Sequence, residues 1–197
     1  MRVTIHQPEH FPYMGFFQKI SEADVYVVLD NVTFRKNYFQ NRNKIKTSIG
    51  KDQWITVPVE KKATSKHIKD VLVSQDFKWK KKLVATIKQN LSFDAYHIYC
   101  YDRLIDINMQ SIKWAFAELK ISTKIVYASD LDAKGSKSQL LANICKEVGA
   151  TKYISGPSGK DYLDMSYFEG IEIEYFQPKV QNYYSCLYNI LINKNSL

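Results

Sequence analysis

The apolar positions of the chain change their spacing repeatedly, and these changes predict alternating strands and helices. The apolar and β-branched residues 3–5 predict a short buried strand. Phe16, Phe17 and Ile20 then recur at helical spacing, which predicts a helix of about two to three turns. Residues 25–29 form a nearly continuous apolar run, as is typical of a strand buried on both faces.

The same alternation continues along the rest of the chain. Strand-forming residues recur at 53–59, 68–73, 123–128, 151–154 and 171–176. Helical spacing recurs at 77–91, 104–119, 139–148 and 183–192. This order predicts an α/β fold with three layers, in which helices flank a mostly parallel sheet. We expect residues 1–197 to form a single domain.

The apolar runs and the cysteines of the sequence indicate where the protein resides and whether it binds a metal. The sequence contains no apolar run of about 18 residues and no amino-terminal basic segment followed by an apolar one, so we expect neither a membrane span nor a signal peptide. Cys100, Cys145 and Cys186 are far apart and lack the spacing of metal ligands. A cytoplasmic protein without a metal site is therefore expected.

The chain carries a net charge of +8. This charge favours an anionic partner such as nucleic acid, a nucleotide or a phosphorylated lipid. Lysine-rich proteins encoded by AT-rich genomes have the same charge without binding anything, and this explanation stays open. The lysines of 78–88 are expected to form a solvated helix face.

Polar residues come directly after each of the first two predicted strands. Pro8 and Pro12 exclude regular structure between them, so residues 6–10 are expected in a loop at a strand's carboxyl end, where open α/β sheets bind ligands. Asp30 closes the second strand. Its carboxylate is expected either to face a cleft or to begin a turn before Asn31.

Two further segments are suited to anions. Residues 35–46 alternate cations with apolar and aromatic side chains, and Arg42 offers a planar fork that matches phosphate oxygens. A solvated basic hairpin explains this segment equally well. Residues 155–159 contain two glycines and two serines and are followed by Lys160, which predicts a backbone nest for an anion. The spacing is not that of a Walker A loop.

Four segments of the chain, taken together, resemble the WbqC-like protein family. They are IHQPEHFPYMGFFQKI, DVYVVLDNVTF, QNRNKIK and YISGPSGKDYL, and the resemblance extends from Val3 to about Leu191. The resemblance implies a cytoplasmic protein of surface-polysaccharide and O-antigen biosynthesis. It also implies a glycine transferase that acylates an amino sugar.

The resemblance implies site residues in three parts of the chain. They are His6, Gln7, Pro12, Gly15 and Lys19 near the amino terminus, Asp30, Asn41 and Arg42 in the middle, and Ser155, Gly156 and Tyr162 in the late loop. His10 stands where the family more typically has an aromatic residue, which makes it a poorer catalytic candidate than His6.

A looser resemblance is to nucleotidyltransferases, which share the order of strand, Pro/Gly loop, helix and strand. It implies a Rossmann-like fold. The His-x-Gly-His motif of those enzymes is absent, because Met14 and Phe16 flank Gly15. The resemblance therefore does not extend to their adenylyl-transfer machinery.

The leading hypothesis is an acyl or aminoacyl transferase that acts on a nucleotide-linked amino sugar. His6 would be the general base, Asp30 would orient it or receive the amine, and Lys19 would help to hold phosphates. Arg42, Lys160 and the Ser155-Gly156 backbone would bind the nucleotide. ATP or an aminoacyl-tRNA would supply the activated acyl group. The alternative is a non-catalytic module that binds nucleotides or nucleic acid.

Overall fold

The computed structural model describes residues 1–194. The strands are Arg2–His6 (β1), Val25–Val28 (β2), Arg42–Lys46 (β3), Asp52–Thr56 (β4), Lys124–Tyr127 (β5), Lys152–Ser155 (β6) and Glu172–Tyr175 (β7). The α-helices are Met14–Ser21 (α1), Lys78–Leu91 (α2), Leu104–Leu119 (α3), Lys137–Glu147 (α4), Gly159–Tyr162 (α5) and Cys186–Lys194 (α6). Within this part of the chain, no helix is long and apolar enough to cross a membrane.

The chain divides into two compact units, and each unit is assembled from separate segments. The first unit comprises Met1–Gln7, Gly15–Asp30 and Ser122–Val180. The second unit comprises Pro8–Met14, Asn31–Ile121 and the described part of Gln181–Leu197.

The first unit contains a five-stranded parallel sheet in the order β5-β2-β1-β6-β7. From the central β1 the chain adds β2 and β5 on one side and then β6 and β7 on the other. The crossovers through α1 and α4 therefore run in opposite directions, and right-handed connections place these helices on opposite faces. The predicted three-layer α/β fold is confirmed, and its strand order is that of a Rossmann-like sheet.

The sheet has an apolar interior. The β2 residues Val25 to Val28 are all buried, as the continuous apolar run predicts. Phe16, Phe17 and Ile20 of α1 are at most 1% exposed. The apolar spacing of α1 thus identifies its buried face, and the continuous apolar run of β2 identifies a strand buried on both faces.

The second unit consists of an antiparallel hairpin, β3–β4, together with α2, α3 and α6. The expected strand over 68–73 is wrong, because Ile68–Asp70 form a 3-10 helix and Val73 makes only an isolated bridge to Val59. Ile68, Val71 and Val73 are nevertheless buried. Three apolar residues identified the core but were too few to fix the backbone conformation.

Buried polar side chains hold the loop Pro8–Met14 within the second unit. Asn108 Nδ2 donates to the carbonyl oxygens of Pro8, at 3.1 Å, and of Gln40, at 2.7 Å. The backbone of Phe11 has a left-handed φ of 43°. The Ser111 hydroxyl accepts a hydrogen bond from the Phe11 N–H at 3.0 Å, and Asn43 Nδ2 donates to the Phe11 carbonyl at 2.8 Å. These bonds hold an aromatic residue in a conformation that it rarely adopts.

Candidate functional site at the carboxyl edge of the parallel sheet

The candidate site lies where the strand order of the first unit reverses. β1 and β6 are neighbours, with Val3 beside Tyr153, and both strands run toward the same edge. His6 is the last residue of β1 and Gln7 comes directly after it. In the same way Ser155 ends β6 and Gly156 comes directly after it. Parallel α/β sheets bind ligands outside such a switch point. The structure therefore brings together four of the residues that the sequence singled out.

The imidazole of His6 has a fixed tautomer and orientation. His6 Nδ1 lies 2.9 Å from the carbonyl oxygen of Gln7, and since that oxygen can only accept, Nδ1 carries the proton. The ring meets Phe16 edge-on, with 5.0 Å between centroids. The His6 carbonyl accepts hydrogen bonds from the Leu29 N–H and the Tyr26 hydroxyl. Because Nδ1 carries the proton, Nε2 carries the lone pair.

Burial and, to a smaller extent, the positive charge of Lys19 lower the pKa of His6 to about 3, while the bond to the Gln7 carbonyl acts in the opposite direction. The imidazole is therefore neutral near pH 7. An unperturbed histidine has a pKa of about 6.5, so the fold makes His6 a much weaker base than an ordinary histidine. Nε2 can accept a hydrogen bond readily, but it holds a proton only when a partner stabilises the imidazolium.

Lys19 and Gly15 lie on α1, which follows the loop after β1. Lys19 is only 5% exposed. Its charge acts on His6. Gly15 is buried near the start of α1. A buried cation next to a neutral imidazole favours negative charge at this edge of the sheet.

Asp30 joins the ends of two neighbouring strands. It is 2% exposed, and its oxygens accept hydrogen bonds from the Ser129 N–H at 2.9 Å and the Ser129 hydroxyl at 2.7 Å. Asp30 follows β2 and Ser129 follows β5. The carboxylate therefore fixes the geometry of the sheet edge. Its suggested action on His6 or on a substrate amine stays a prediction.

The loop after β6 uses several of its own amides. The Gly159 N–H donates to the Gly156 carbonyl and the Asp161 N–H to the Ser158 carbonyl, both at 3.0 Å. These groups are not available to the predicted anion nest. The Ser155 hydroxyl is buried, lies against Gly159 and acts on the pKa of the Tyr162 hydroxyl. Ser155 therefore places a polar group beside the switch point.

The two glycines of this loop differ in their surroundings. A Cβ atom at Gly156 meets nothing within 4 Å, whereas one at Gly159 meets Ser155 Cβ at 3.1 Å and Leu163 Cδ1 at 3.2 Å as well as the Ser155 hydroxyl. Gly159 is needed for close packing. Gly156 borders open space at the end of β6.

Gly159→Ala is expected to lower the free energy of unfolding by about 1–3 kcal/mol, since the added methyl overpacks the contact with Ser155. Gly156→Ala is the matched control and is expected to change stability by less than about 0.5 kcal/mol. Urea unfolding of both variants measures the difference. Equal losses would mean that the two glycines do not differ in packing.

Lys160 and Tyr162 lie in the short helix α5. Lys160 Nζ is 5.5 Å from the centre of the Tyr175 ring. Tyr162 is 57% exposed, and its carbonyl accepts a hydrogen bond from the Ser138 hydroxyl. Burial raises the pKa of Tyr162, and the nearby Ser155 hydroxyl partly offsets this effect. Both residues belong to the first unit, and their role in binding a ligand stays a prediction.

Pro12, Asn41 and Arg42 belong to the second unit. The Pro12 carbonyl accepts a hydrogen bond from the Cys186 N–H at 2.7 Å. Asn41 is 2% exposed; its Nδ2 donates to the Val57 carbonyl, and its Oδ1 accepts from the Asn37 N–H, both at 3.0 Å. The Asn41 amide therefore stabilises the backbone of the second unit. The Arg42 guanidinium lies over Trp54, 4.3 Å from the ring centre.

Sequence reasoning missed Ser129, Gly159 and Trp54 as individual site residues. Ser129 follows a predicted strand and thus carried the same positional signal as Asp30. Trp54 alternates with apolar positions in a predicted strand, so an outward-facing ring was foreseeable. No sequence signal distinguished Gly159 from Gly156, because the difference depends on tertiary packing. Among residues 1–194, no group of three or more His, Cys, Asp or Glu side chains is arranged for a metal ion.

Comparisons with known proteins agree over most of the chain. The model of the WbqC-like protein family matches residues 7–194. An uncharacterised protein of Mycobacterium tuberculosis, Rv1507c, is 31% identical over 185 residues, which cover 87% of this chain and 79% of the relative. No solved structure matches the chain.

Proposed function

Because the chain belongs to the WbqC-like protein family, we propose that it is a transferase of surface-polysaccharide biosynthesis. In this proposal the protein transfers glycine or another acyl group to the amino group of a nucleotide-linked amino sugar. The observation that supports it is the switch point of the first unit, where His6 Nε2 and the open space at Gly156 follow adjacent strands. The reaction would take place in the cytoplasm.

The open space at Gly156 would admit the nucleotide phosphates close to the backbone. Ser155 is the last residue of β6, and its hydroxyl would donate to a phosphate oxygen. Lys19 would add a buried positive charge. An anion bound here would also raise the pKa of His6, because it would stabilise the imidazolium.

Acyl transfer requires the sugar amine in its neutral form. The Lys19 charge disfavours a substrate ammonium nearby, just as it lowers the pKa of His6. As the amine attacks the acyl carbonyl, a C–N bond forms and the nitrogen becomes acidic, so Nε2 of His6 can take its proton. The bond to the leaving group of the donor then breaks with its electron pair. ATP-activated and tRNA-bound acyl groups both satisfy this chemistry.

Nucleotide binding is tested by thermal unfolding of the purified protein with ATP and with UDP- and dTDP-linked amino sugars. A ligand that binds only the folded state stabilises it by about 2.7 kcal/mol at a hundredfold excess over Kd. Gly156→Ala is expected to abolish this shift while keeping the unfolding midpoint without ligand, because its methyl group fills the open space. A full ligand shift in Gly156→Ala would contradict the proposed position of the phosphates.

The role of His6 is tested with His6→Asn, which keeps a donor near Nδ1 for the Gln7 carbonyl but removes Nε2. Acyl transfer, followed by mass spectrometry of the sugar product, is expected to fall by a factor of about 100 or more. The nucleotide-induced shift should persist. The exposed His67→Asn is the matched control and should keep full activity. Unchanged turnover in His6→Asn would exclude Nε2 as the base.

A further inference from the structure

The basic charge of the chain is concentrated in the second unit. That unit holds 19 of the 28 Lys and Arg residues and 9 of the 20 Asp and Glu residues, a net charge of +10, whereas the remaining 9 and 11 give the first unit a net −2. The overall charge of +8 is therefore a property of one unit. The substrate site proposed above lies in the other unit and does not explain it.

Part of this charge lies on one face of the β3–β4 hairpin. The outward face consists of Arg42, Lys44 and Lys46 on β3 and of Thr56, Trp54 and Asp52 opposite them on β4. We call this surface the basic hairpin face. Ile45 and Ile55 point the other way and are 0% exposed. The alternation of the strands thus separates an apolar inner side from a cationic outer side.

The cations of the basic hairpin face are arranged around an accessible aromatic ring. The Arg42 guanidinium and Lys44 Nζ lie 4.3 Å and 5.2 Å from the centre of the Trp54 ring system. Trp54 nevertheless keeps 39% of its surface exposed. Arg42 has no carboxylate partner within the described chain, and its buried Nε makes no hydrogen bond there. These cations are held in place by the ring without being neutralised by it.

Only one carboxylate lies on this face. Asp52 pairs with Lys44 at 3.0 Å and accepts a hydrogen bond from the Tyr184 hydroxyl at 2.6 Å. Lys46 Nζ lies over the Tyr184 ring, 5.8 Å from its centre. Residues 35–51 contain six basic residues and no acidic one. The face therefore has an excess of positive charge together with aromatic surface.

We propose that the basic hairpin face binds single-stranded nucleic acid. Phosphates contact Arg42, Lys44 and Lys46, and a base stacks on Trp54. Unpaired bases expose their flat faces, which an aromatic ring can recognise, whereas duplexes keep these faces stacked internally. Anionic polysaccharides and lipid headgroups would meet the charges but have no aromatic base to stack on the ring. This inference does not depend on the proposed transferase activity.

The test is fluorescence anisotropy of the full chain with a labelled oligouridine RNA of about 12 nucleotides, within the site sizes of single-strand binders. Affinity is expected to fall steeply between about 50 and 200 mM salt. The double variant Arg42→Gln/Lys44→Gln should weaken binding at least tenfold and reduce the salt slope by about 1.4, since each lost phosphate contact accounts for about 0.7. No binding by the native chain would overturn the proposal.

Lys81→Gln/Lys82→Gln is the matched control, because both lysines are exposed on α2 and the variant loses the same charge. It should change RNA affinity less than twofold. An equal loss in the control would show that only total charge matters and would overturn the assignment to the hairpin. The unfolding midpoint of each variant confirms that it is folded.

Trp54→Leu separates stacking from charge, since it keeps an apolar side chain and removes only the ring. RNA affinity should fall about fivefold or more, in line with the stacking energy of one base. Binding of heparin, which is anionic but has no bases, should stay unchanged. Equal losses for both ligands, or no loss for RNA, would overturn the stacking role. If the native chain bound RNA but no nucleotide-linked sugar raised its unfolding midpoint, only the proposed transferase function would be contradicted.

Discussion

Asn108→Leu is expected to lower the free energy of unfolding by about 2–5 kcal/mol. Asn108 is 0% exposed, and its Nδ2 satisfies two backbone carbonyls, those of Pro8 and Gln40. Leucine is similar in size but donates nothing, so two buried acceptors lose their partner, at a cost of about 1–3 kcal/mol each. For a chain of this length the melting temperature should fall by about 5–15 °C, as measured by calorimetry.

Asn143→Leu is the control for this prediction. Asn143 is also helical, and its Nδ2 also donates to a loop carbonyl, that of Lys134 at 2.7 Å, but this bond is exposed. Water can replace the lost donor, so the expected loss is below about 1 kcal/mol. If both variants lost equal stability, burial of the hydrogen bonds would not be the reason for the effect of Asn108.

Acid is expected to destabilise the protein well before its carboxylates are protonated. Burial lowers the pKa of His10 to about 3, from 6.5 for an unperturbed histidine. Between these values the unfolded chain binds a proton that the folded chain refuses, so the stabilisation is complete above pH 6.5 and is lost progressively as the pH falls toward 3. The slope is about 1.4 kcal/mol per pH unit, or about 2 kcal/mol at pH 5. His6 shifts in the same direction and adds to the effect.

Urea unfolding at several values between pH 5 and 8 measures this slope. His10→Phe removes one of the two titrating groups and should lower the slope by about 1.4 kcal/mol per pH unit, which leaves the part due to His6. The variant also loses the bond to the Tyr99 hydroxyl at 3.0 Å. A native curve that is already flat below pH 6.5 would show that His10 accepts a proton in the folded state.

The sequence predicted several helices and strands well because their apolar residues recur at a regular spacing. The expected helix at 104–119 coincides with α3, and the expected strand at 25–29 differs from β2 by one residue. The short segment 68–73 failed, since three apolar residues do not distinguish a strand from a 3-10 turn followed by an extended stretch. The assembly of two units from interleaved segments depends on long-range contacts that no local period contains.

The site was predictable in position but less so in chemistry. His6, Asp30 and Ser155 could be placed at strand ends from the sequence, because polar residues that follow buried strands share one edge. The low pKa of His6 could not, since it arises from burial and from the charge of Lys19. Nor could the sequence show that the Asn41 amide is committed to the backbone of its own unit.

The interleaving of the two units also determines the order in which the ribosome delivers the sheet. β1 and β2 emerge first, but their outer partners β6 and β5 follow only after residues 31–121 have been synthesised. During that interval two apolar strands have unpaired edges, and two strands alone are marginally stable in water. The nascent chain therefore exposes two apolar strand edges while residues 31–121 are made, and such edges favour aggregation before folding is complete.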